Sequence, residues 1–82
     1  LRHGKIEIVE VKIDAKQYDH MKLIGKEAIL LDLPDEVELC GIERGEHPII
    51  DFSKIEIEDG DLILFLLYDR AKITQLENFL GK

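Results

Sequence analysis

Near the start of the chain, apolar and charged residues alternate as they do in a β-strand. The segment KIEIVEVKI, residues 5–13, is rich in β-branched side chains, but its alternation slips by one position between Ile8 and Val9. Because successive side chains of a strand point to opposite faces, we expect either a β-bulge at this slip or a strand that is buried on both faces beyond it.

No strand pattern runs through residues 14–36. Within this stretch the segment KEAILLDL, residues 26–33, follows Gly25 and precedes Pro34. Proline disfavours helical geometry at the residue before it, so the segment predicts a short helix of about one to two turns that ends before Pro34. We interpret the whole stretch as a crossover between strands.

A hairpin is the simplest interpretation of the segment VELCGIERGEHPII. Arg44 and Gly45 mark a turn between a strand at residues 37–43 and a return strand at residues 46–50. Because Pro48 cannot donate a ladder hydrogen bond, we expect the return strand at an edge of the sheet.

The end of the chain combines a uniformly apolar strand with an amphipathic helix. A second crossover, residues 51–61, ends in a turn at Gly60, and residues 62–68 are then apolar at every position, as is typical of a strand buried on both faces. Asp69 is placed to cap the helix that follows. The apolar positions of that helix are Ile73, Leu76, Phe79 and Leu80.

These elements predict a small α+β domain in the order strand, crossover, hairpin, crossover, strand, helix. We assign residues 6–82 to this domain and residues 1–5 to an N-terminal tail or the remnant of a preceding domain. One short helix covers only one face of a sheet. The doubly apolar strand at residues 62–68 therefore needs further cover. The short crossover helix is one candidate for part of it, and a symmetric homodimer is the interpretation we favour.

Composition narrows the classes of function. The chain has 82 residues, enough for one domain, and its net charge of -7 is unfavourable for binding phosphates, so nucleic acid is not an expected partner. The longest apolar run, residues 62–68, is far shorter than the roughly 20 residues of a spanning helix, and no direct membrane insertion is expected. A single cysteine, Cys40, forms no internal disulfide and fits a reducing, cytoplasmic compartment.

No residues in the sequence have the spacing of a catalytic site. Ser53 lacks the Gly-x-Ser-x-Gly context of an exposed nucleophile. Cys40 lies in the middle of a predicted strand, where we expect a small buried hydrophobe rather than an activated thiolate. We therefore predict that the protein is not an enzyme.

Three residues around the hairpin turn are candidates for ligand binding. Glu43, Arg44 and His47 would bring a carboxylate, a guanidinium and an imidazole to one pocket. The alternative is that Arg44 is an exposed turn residue that pairs with Glu43 or Glu46, a contact worth little free energy.

A second candidate site, for a metal ion, lies in the second crossover. Glu56, Glu58, Asp59 and Asp61 offer the oxygen ligands that Ca²⁺ and Mg²⁺ prefer, although their spacing differs from that of a calcium-binding loop. The alternative is structural. Glu56 and Glu58 alternate with isoleucines, which is typical of the solvent face of an extended segment.

Several short segments occur in the order and spacing of a known family. They are Val9-Glu10-Val11, Leu23-Ile24-Gly25-Lys26, Leu31-Asp32-Leu33-Pro34, Gly41-Ile42-Glu43-Arg44-Gly45, Ile49-Ile50 and Gly60-Asp61. Over residues 6–80 the chain resembles the TrkA C-terminal domain, the C-lobe of the RCK (regulator of potassium conductance) modules. The resemblance implies a β pseudo-barrel capped by a C-terminal helix, in a dimer.

The resemblance also implies a function. It indicates a cytoplasmic regulatory domain of a potassium or other cation transport system, which dimerises, senses a small-molecule or divalent-cation effector, and is attached to or associated with a membrane transporter or channel. The alternative is a purely structural dimerisation lobe of a non-transport protein, PhoU-like or a transcription regulator, with no ligand of its own. Asp35 and Glu36 would repel a phosphodiester, which disfavours a cyclic dinucleotide as effector.

Overall fold

The computed structural model describes residues 6–81, so the predicted tail at residues 1–5 and the last residue lie outside the described part of the chain. The strands are β1 (Glu7–Lys12), β2 (Val37–Arg44), β3 (His47–Pro48) and β4 (Leu62–Leu67), the helices are α1 (Tyr18–Met21) and α2 (Ile73–Phe79), and single 3-10 turns lie at Ala28–Leu30 and Arg70–Lys72. Within residues 6–81, no helix has the length and apolar character needed to cross a membrane.

The four strands form an open antiparallel sheet in the order β1-β4-β2-β3. Strand β3 lies at an edge, which confirms the position predicted from Pro48. Gly45 and Glu46 form the hairpin turn with φ angles of 59° and 67°, and positive φ at both central positions is the signature of a type I′ turn. The turn begins one residue later than predicted because β2 continues through Arg44.

One face of the sheet is buried, and the crossovers and α2 pack against it. On the central strand β4, Ile63, Phe65 and Leu67 are each 1% exposed. The buried residues that pack with them from outside the sheet are Ile13, Leu23, Ala28, Ile57 and Leu76. The sheet and this covering layer make a two-layer fold, and the predicted α+β class is confirmed.

The prediction for β1 is wrong. Strand β1 pairs with β4 without a register shift from Glu7 to Lys12, and Ile8 is 58% exposed on the face away from the core. The strand therefore contains neither a bulge nor a segment buried on both faces. The reason is that Val9 and Val11 alone supply the core side chains of β1, while Ile8 lies opposite Leu66 on the outer face.

The irregularity of the sheet lies in β2 instead. Its register against β4 shifts between Leu39 and Gly41, so Cys40 is the extra residue of a β-bulge. This shift allows Leu39 and Ile42 to contact the core although they are three positions apart. Cys40 is consequently exposed, and the prediction that it is a buried hydrophobe is wrong.

Both crossovers are mostly irregular. The predicted helix at residues 26–33 is reduced to the 3-10 turn Ala28–Leu30, and the short helix α1 was not predicted. The two crossovers pair with each other through an isolated antiparallel bridge between Glu27 and Glu56. This bridge brings Ala28 and Ile57 to the side of the core opposite the sheet.

The C-terminal helix begins as predicted. The Asp69 carboxylate accepts a hydrogen bond of 2.9 Å from the backbone N–H of Ala71, at the start of the 3-10 turn that leads into α2. Leu76 is 1% exposed and anchors the helix to the sheet. An amphipathic segment of this length depends on such packing, since an isolated short helix is marginal in water.

Candidate functional site

A cleft of about 430 Å³ opens where the ends of β1 and β2 meet the hairpin turn and the second crossover. Its charged lining residues are Lys12, Glu43, Arg44, Glu46, Asp59 and Asp61. The sheet register explains this gathering, because Lys12 and Glu43 both lie opposite Leu62, one on each side of β4.

Arg44 and Asp61 form a paired contact at the base of this region. The Asp61 carboxylate is 1% exposed. Arg44 donates from Nε to Oδ1 at 2.8 Å and from Nη2 to Oδ2 at 2.9 Å. The backbone N–H of Glu58 donates to the same Oδ2 at 2.9 Å. The buried carboxylate is therefore both ion-paired and hydrogen-bonded, which is the condition for tolerating a charge in the interior.

Arg44 also holds the second crossover through further contacts. Its Nη2 donates to the backbone carbonyl of Glu56 at 2.9 Å, and its Nη1 lies 3.2 Å from the Glu58 carboxylate. These contacts engage most of the guanidinium N–H donors. The alternative in which Arg44 pairs with Glu43 or Glu46 is wrong, since its acidic partners are Asp61 and Glu58.

The contact between Arg44 and Asp61 shifts the pKa of each group toward its charged form. Burial alone would raise the pKa of Asp61, but the hydrogen bonds from Arg44 and from the Glu58 N–H, together with the charge of Arg44, hold that pKa below its ordinary value. The hydrogen bond with Asp61 raises the pKa of Arg44, against an opposing effect of burial. Both groups are charged at neutral pH.

Two of the three predicted ligand residues line the cleft, and the third does not. Glu43 and Arg44 both line the cleft. They approach it from opposite faces of β2, because Glu43 lies opposite Pro48 and Arg44 opposite His47 in the hairpin register. His47 is exposed and does not line the cleft.

The four predicted metal ligands have different surroundings in the structure. Glu56 and Glu58 are exposed, as the structural alternative predicted. Asp59 accepts a hydrogen bond of 2.8 Å from the backbone N–H of Ala15, and Asp61 is occupied by Arg44. Across residues 6–81, no group of three or more His, Cys, Asp or Glu side chains is arranged to hold a metal ion.

The cleft is electronegative. Arg44 and Asp61 compensate each other, which leaves Lys12 against the carboxylates of Glu43, Glu46 and Asp59. A concave surface with a net charge of one sign concentrates ligands of the opposite sign. The arrangement favours a small cationic ligand or a cationic group of a larger one.

Two features of the site were missed in the sequence. Lys12 was treated as part of a strand and not as a cleft residue, although its strand register determines its position. The Arg44–Asp61 pair was also missed, but a signal for it exists. Asp61 stands directly before a fully apolar strand, where a buried carboxylate requires a cationic partner.

Cys40 lies outside this cleft. Although Cys40 is exposed, partial desolvation of its thiol and then the neighbouring Glu38 carboxylate raise the pKa of that thiol above the ordinary value. A raised pKa keeps the thiol protonated at neutral pH and lowers its reactivity as a nucleophile.

The outer face of the sheet carries a narrow apolar strip. It consists of Leu62, Leu64 and Leu66, which are half-buried, and Ile8, which is 58% exposed. The register shows that the charged residues Glu10, Lys12, Glu38 and Glu43 flank the three leucines. We call these four apolar residues the outer strip.

The structure thus defines a small α+β domain with a polar cleft at one end of the sheet and an apolar strip on its outer face. Comparison with known proteins found two relatives of the same kind. The chain is 26% identical over 77 residues to the Trk system potassium uptake protein TrkA of Halomonas elongata, and 29% identical over 77 residues to that of Haemophilus influenzae.

Each alignment covers 94% of this chain but only 17% of the relative. The chain therefore spans about a sixth of the length of the curated relatives it matches. No protein-family model matches the chain. The two similarities fit a TrkA-related domain.

Proposed function

We propose that the chain is a non-catalytic, cytoplasmic regulatory domain of a potassium transport system, which dimerises, senses a small effector and acts on an associated membrane transporter. The observation that carries the proposal is the similarity to two TrkA potassium uptake proteins across 94% of the chain. The α+β fold and the cleft at the hairpin support it.

The effector site in this proposal is the cleft. Its net negative lining favours a divalent cation or a small molecule with a cationic group. Glu43 is the best candidate for direct contact with the effector. Among the described residues, Arg44 is held by several hydrogen bonds and ion pairs, whereas the Glu43 carboxylate makes none. Arg44 then positions the cleft wall through Asp61 rather than serving mainly as a ligand contact.

The dimer in this proposal uses the outer strip. A central apolar area surrounded by charged residues is the usual organisation of a protein interface. A second copy would cover Ile8 and the three leucines of β4. The pseudo-barrel expected from the resemblance also belongs to the proposal. The β-bridge between Glu27 and Glu56 supports it, because this bridge pairs the two crossovers on the side of the core opposite the sheet.

The cleft and the outer strip have one residue of β4 in common, which would allow an effector in the cleft to influence the dimer interface. Leu62 belongs to the outer strip, lines the cleft and lies opposite both Lys12 and Glu43. An effector that binds between those two residues would act at the end of the interface. If it prefers one dimer geometry, it shifts the population toward that geometry by its differential affinity.

A thermal-shift screen with Ca²⁺, Mg²⁺, Mn²⁺, K⁺ and nucleotides tests the proposal. A ligand that binds only the native state at about 100 times its Kd stabilises by about 2.7 kcal/mol, which raises the Tm of a domain this size by roughly 10–20 °C. Glu43→Gln should reduce the shift, whereas Asp35→Asn, an exposed acid outside the cleft, should preserve it. A full shift in Glu43→Gln would place the effector elsewhere.

A structural dimerisation lobe without a ligand is the second candidate. The observation that favours it is the engagement of Arg44 by Asp61, Glu56 and Glu58, which leaves the most basic group of the cleft with little capacity for a ligand. A stable dimer that shows no thermal shift with any compound of the screen would support this second function over the first.

A further inference from the structure

A second concave surface, separate from the hairpin cleft, lies between the first crossover and the end of α2. This groove has a volume of about 250 Å³ and shares no lining residue with the cleft. Leu23, 2% exposed, forms its floor, and Leu30, Leu31 and Phe79 form its apolar walls. Leu30 is 70% exposed, so a large part of this apolar surface faces solvent.

The charged residues that line the groove are net positive, whereas the chain as a whole carries a net charge of -7. Among the described residues that line the groove, Lys22 and Lys26 are basic and Asp32 is acidic. Residues 12–26 contain four lysines against two aspartates, whereas residues 27–69 contain thirteen acidic residues against one arginine and one lysine. A basic rim around an apolar groove is thus a local feature of an otherwise acidic chain.

The ion pair that Lys22 already makes does not prevent the rim from binding another carboxylate. Lys22 lies 3.6 Å from Asp19, and both side chains are substantially exposed. An exposed pair of this kind contributes little free energy and is readily exchanged for another carboxylate. The groove can therefore present two ammonium groups beside an apolar surface.

We infer that this groove docks an acidic amphipathic segment of a partner protein. Apolar side chains at helical spacing would lie against Leu30 and Phe79, and flanking carboxylates would meet Lys22 and Lys26. This is the usual geometry of an amphipathic helix in a groove. The basic rim selects an acidic segment over a basic one, because like charges across an interface oppose association. The inference does not depend on the effector or the dimer.

The test uses the 82-residue chain, labelled with ¹⁵N, and two synthetic peptides. Both peptides carry leucines at i, i+3, i+4 and i+7, with glutamates at the other positions in one and lysines in the other. The acidic peptide should shift the amide resonances of Lys22, Lys26, Leu30 and Phe79, and the basic peptide should not. Binding should weaken at high salt.

Three variants sharpen the test. Lys26→Glu and Leu30→Ala should each weaken binding of the acidic peptide by at least about threefold, and Lys54→Glu, an exposed lysine outside the groove, should leave the Kd unchanged. Leu30 is largely exposed, so its truncation should leave the fold intact, and Lys26→Glu provides the same test without any loss of apolar surface.

Three results would overturn the inference. They are equal binding of the two peptides, an equal loss in Lys54→Glu, and resonance shifts at Leu30 and Phe79 that follow the concentration of the chain alone without any response to peptide. The last result would assign the groove to a second copy of this chain.

Discussion

The substitution Asp61→Asn tests the structural role of the pair with Arg44. The change keeps the size of the side chain but removes its negative charge. It removes the buried counter-ion of Arg44, leaving only the exposed Glu58 carboxylate. It also places an amide N–H₂ against a donor, either Arg44 or the Glu58 N–H. The carboxylate site is 1% exposed, so water cannot replace the lost contacts.

The expected loss of stability follows from the burial of the two partners. Breaking a fully buried ion pair costs about 3–5 kcal/mol. The Arg44 side chain is 33% exposed and recovers part of its hydration, which lowers the expected loss to about 2–4 kcal/mol. A domain of this size has a total stability of about 4–12 kcal/mol. Asp61→Asn should therefore melt roughly 10–30 °C lower than the wild-type chain.

Urea unfolding followed by far-UV circular dichroism is the suitable assay, because the chain contains no tryptophan. Glu56→Gln is the matched control. It lies in the same crossover, its side chain is exposed, and the backbone carbonyl that accepts from Arg44 is retained. The control should change the free energy of unfolding by less than about 0.5 kcal/mol.

A double-mutant cycle isolates the pair itself. Arg44→Met leaves the buried Asp61 carboxylate unpaired, and Asp61→Leu removes the two-point partner of Arg44, so each variant should be strongly destabilised. The double variant should lose at least about 1 kcal/mol less than the sum of the two single losses. A loss in Asp61→Asn no larger than that in Glu56→Gln, or an additive cycle, would refute the assignment of Asp61 as a buried partner of Arg44.

Three further outcomes follow from the structure. The lowered pKa of Asp61 means that its carboxylate is protonated at a higher pH in the unfolded chain than in the folded one. The contribution of the ionised Asp61 to the free energy of unfolding is therefore complete above about pH 5 and is lost as the pH falls below about 4. Acid titration of stability should show a steeper loss in wild type than in Asp61→Asn, and parallel curves would contradict this. Gly81→Ala should cost more than Gly25→Ala in urea unfolding, because both glycines have positive φ but only at Gly81 would a Cβ overlap the Asp19 side chain; equal losses would refute that contact. Asp69→Ala should lose about 1 kcal/mol by removing the cap on Ala71, and an unchanged Tm would show that the cap is dispensable.

Elements with a strong local signal could be predicted from the sequence. The uniformly apolar strand β4, the cap at Asp69 and the edge position of Pro48 each depend on the chemistry of one residue or one short run. The α+β class follows from them. These features were predicted because local sequence and tertiary context favour the same structure.

The position of the bulge could not be predicted in the same way. Ile8 and Val9 indicated a slip in β1, yet the register shift lies at Cys40 in β2. Two adjacent apolar residues fit a regular strand when one of them, here Ile8, lies exposed on the outer face of the sheet. The better signal was the spacing of Leu39 and Ile42, since two core residues three positions apart require an extra residue between them.

The geometry around the hairpin turn could be predicted only in part. Glu43 and Arg44 do line a cleft at the hairpin, but the partner of Arg44 comes from seventeen residues away, at Asp61. Contacts of this kind depend on how a crossover returns to the sheet, which local patterns do not encode. His47 was grouped with the other two by its proximity in sequence, although it belongs to the exposed edge strand.

Sedimentation of the purified chain at tens of micromolar, with and without the effector identified by thermal shift, is the most direct test of the proposed regulatory dimer. The account predicts a species of twice the 9.5 kDa chain mass, whose sedimentation changes on effector binding. It also predicts a folded monomer for Ile8→Glu, which places a charge in the outer strip, and a dimer for the control Tyr18→Glu, at an exposed position on α1. A wild-type chain that sediments as a 9.5 kDa monomer, or an Ile8→Glu variant that remains dimeric, would contradict it.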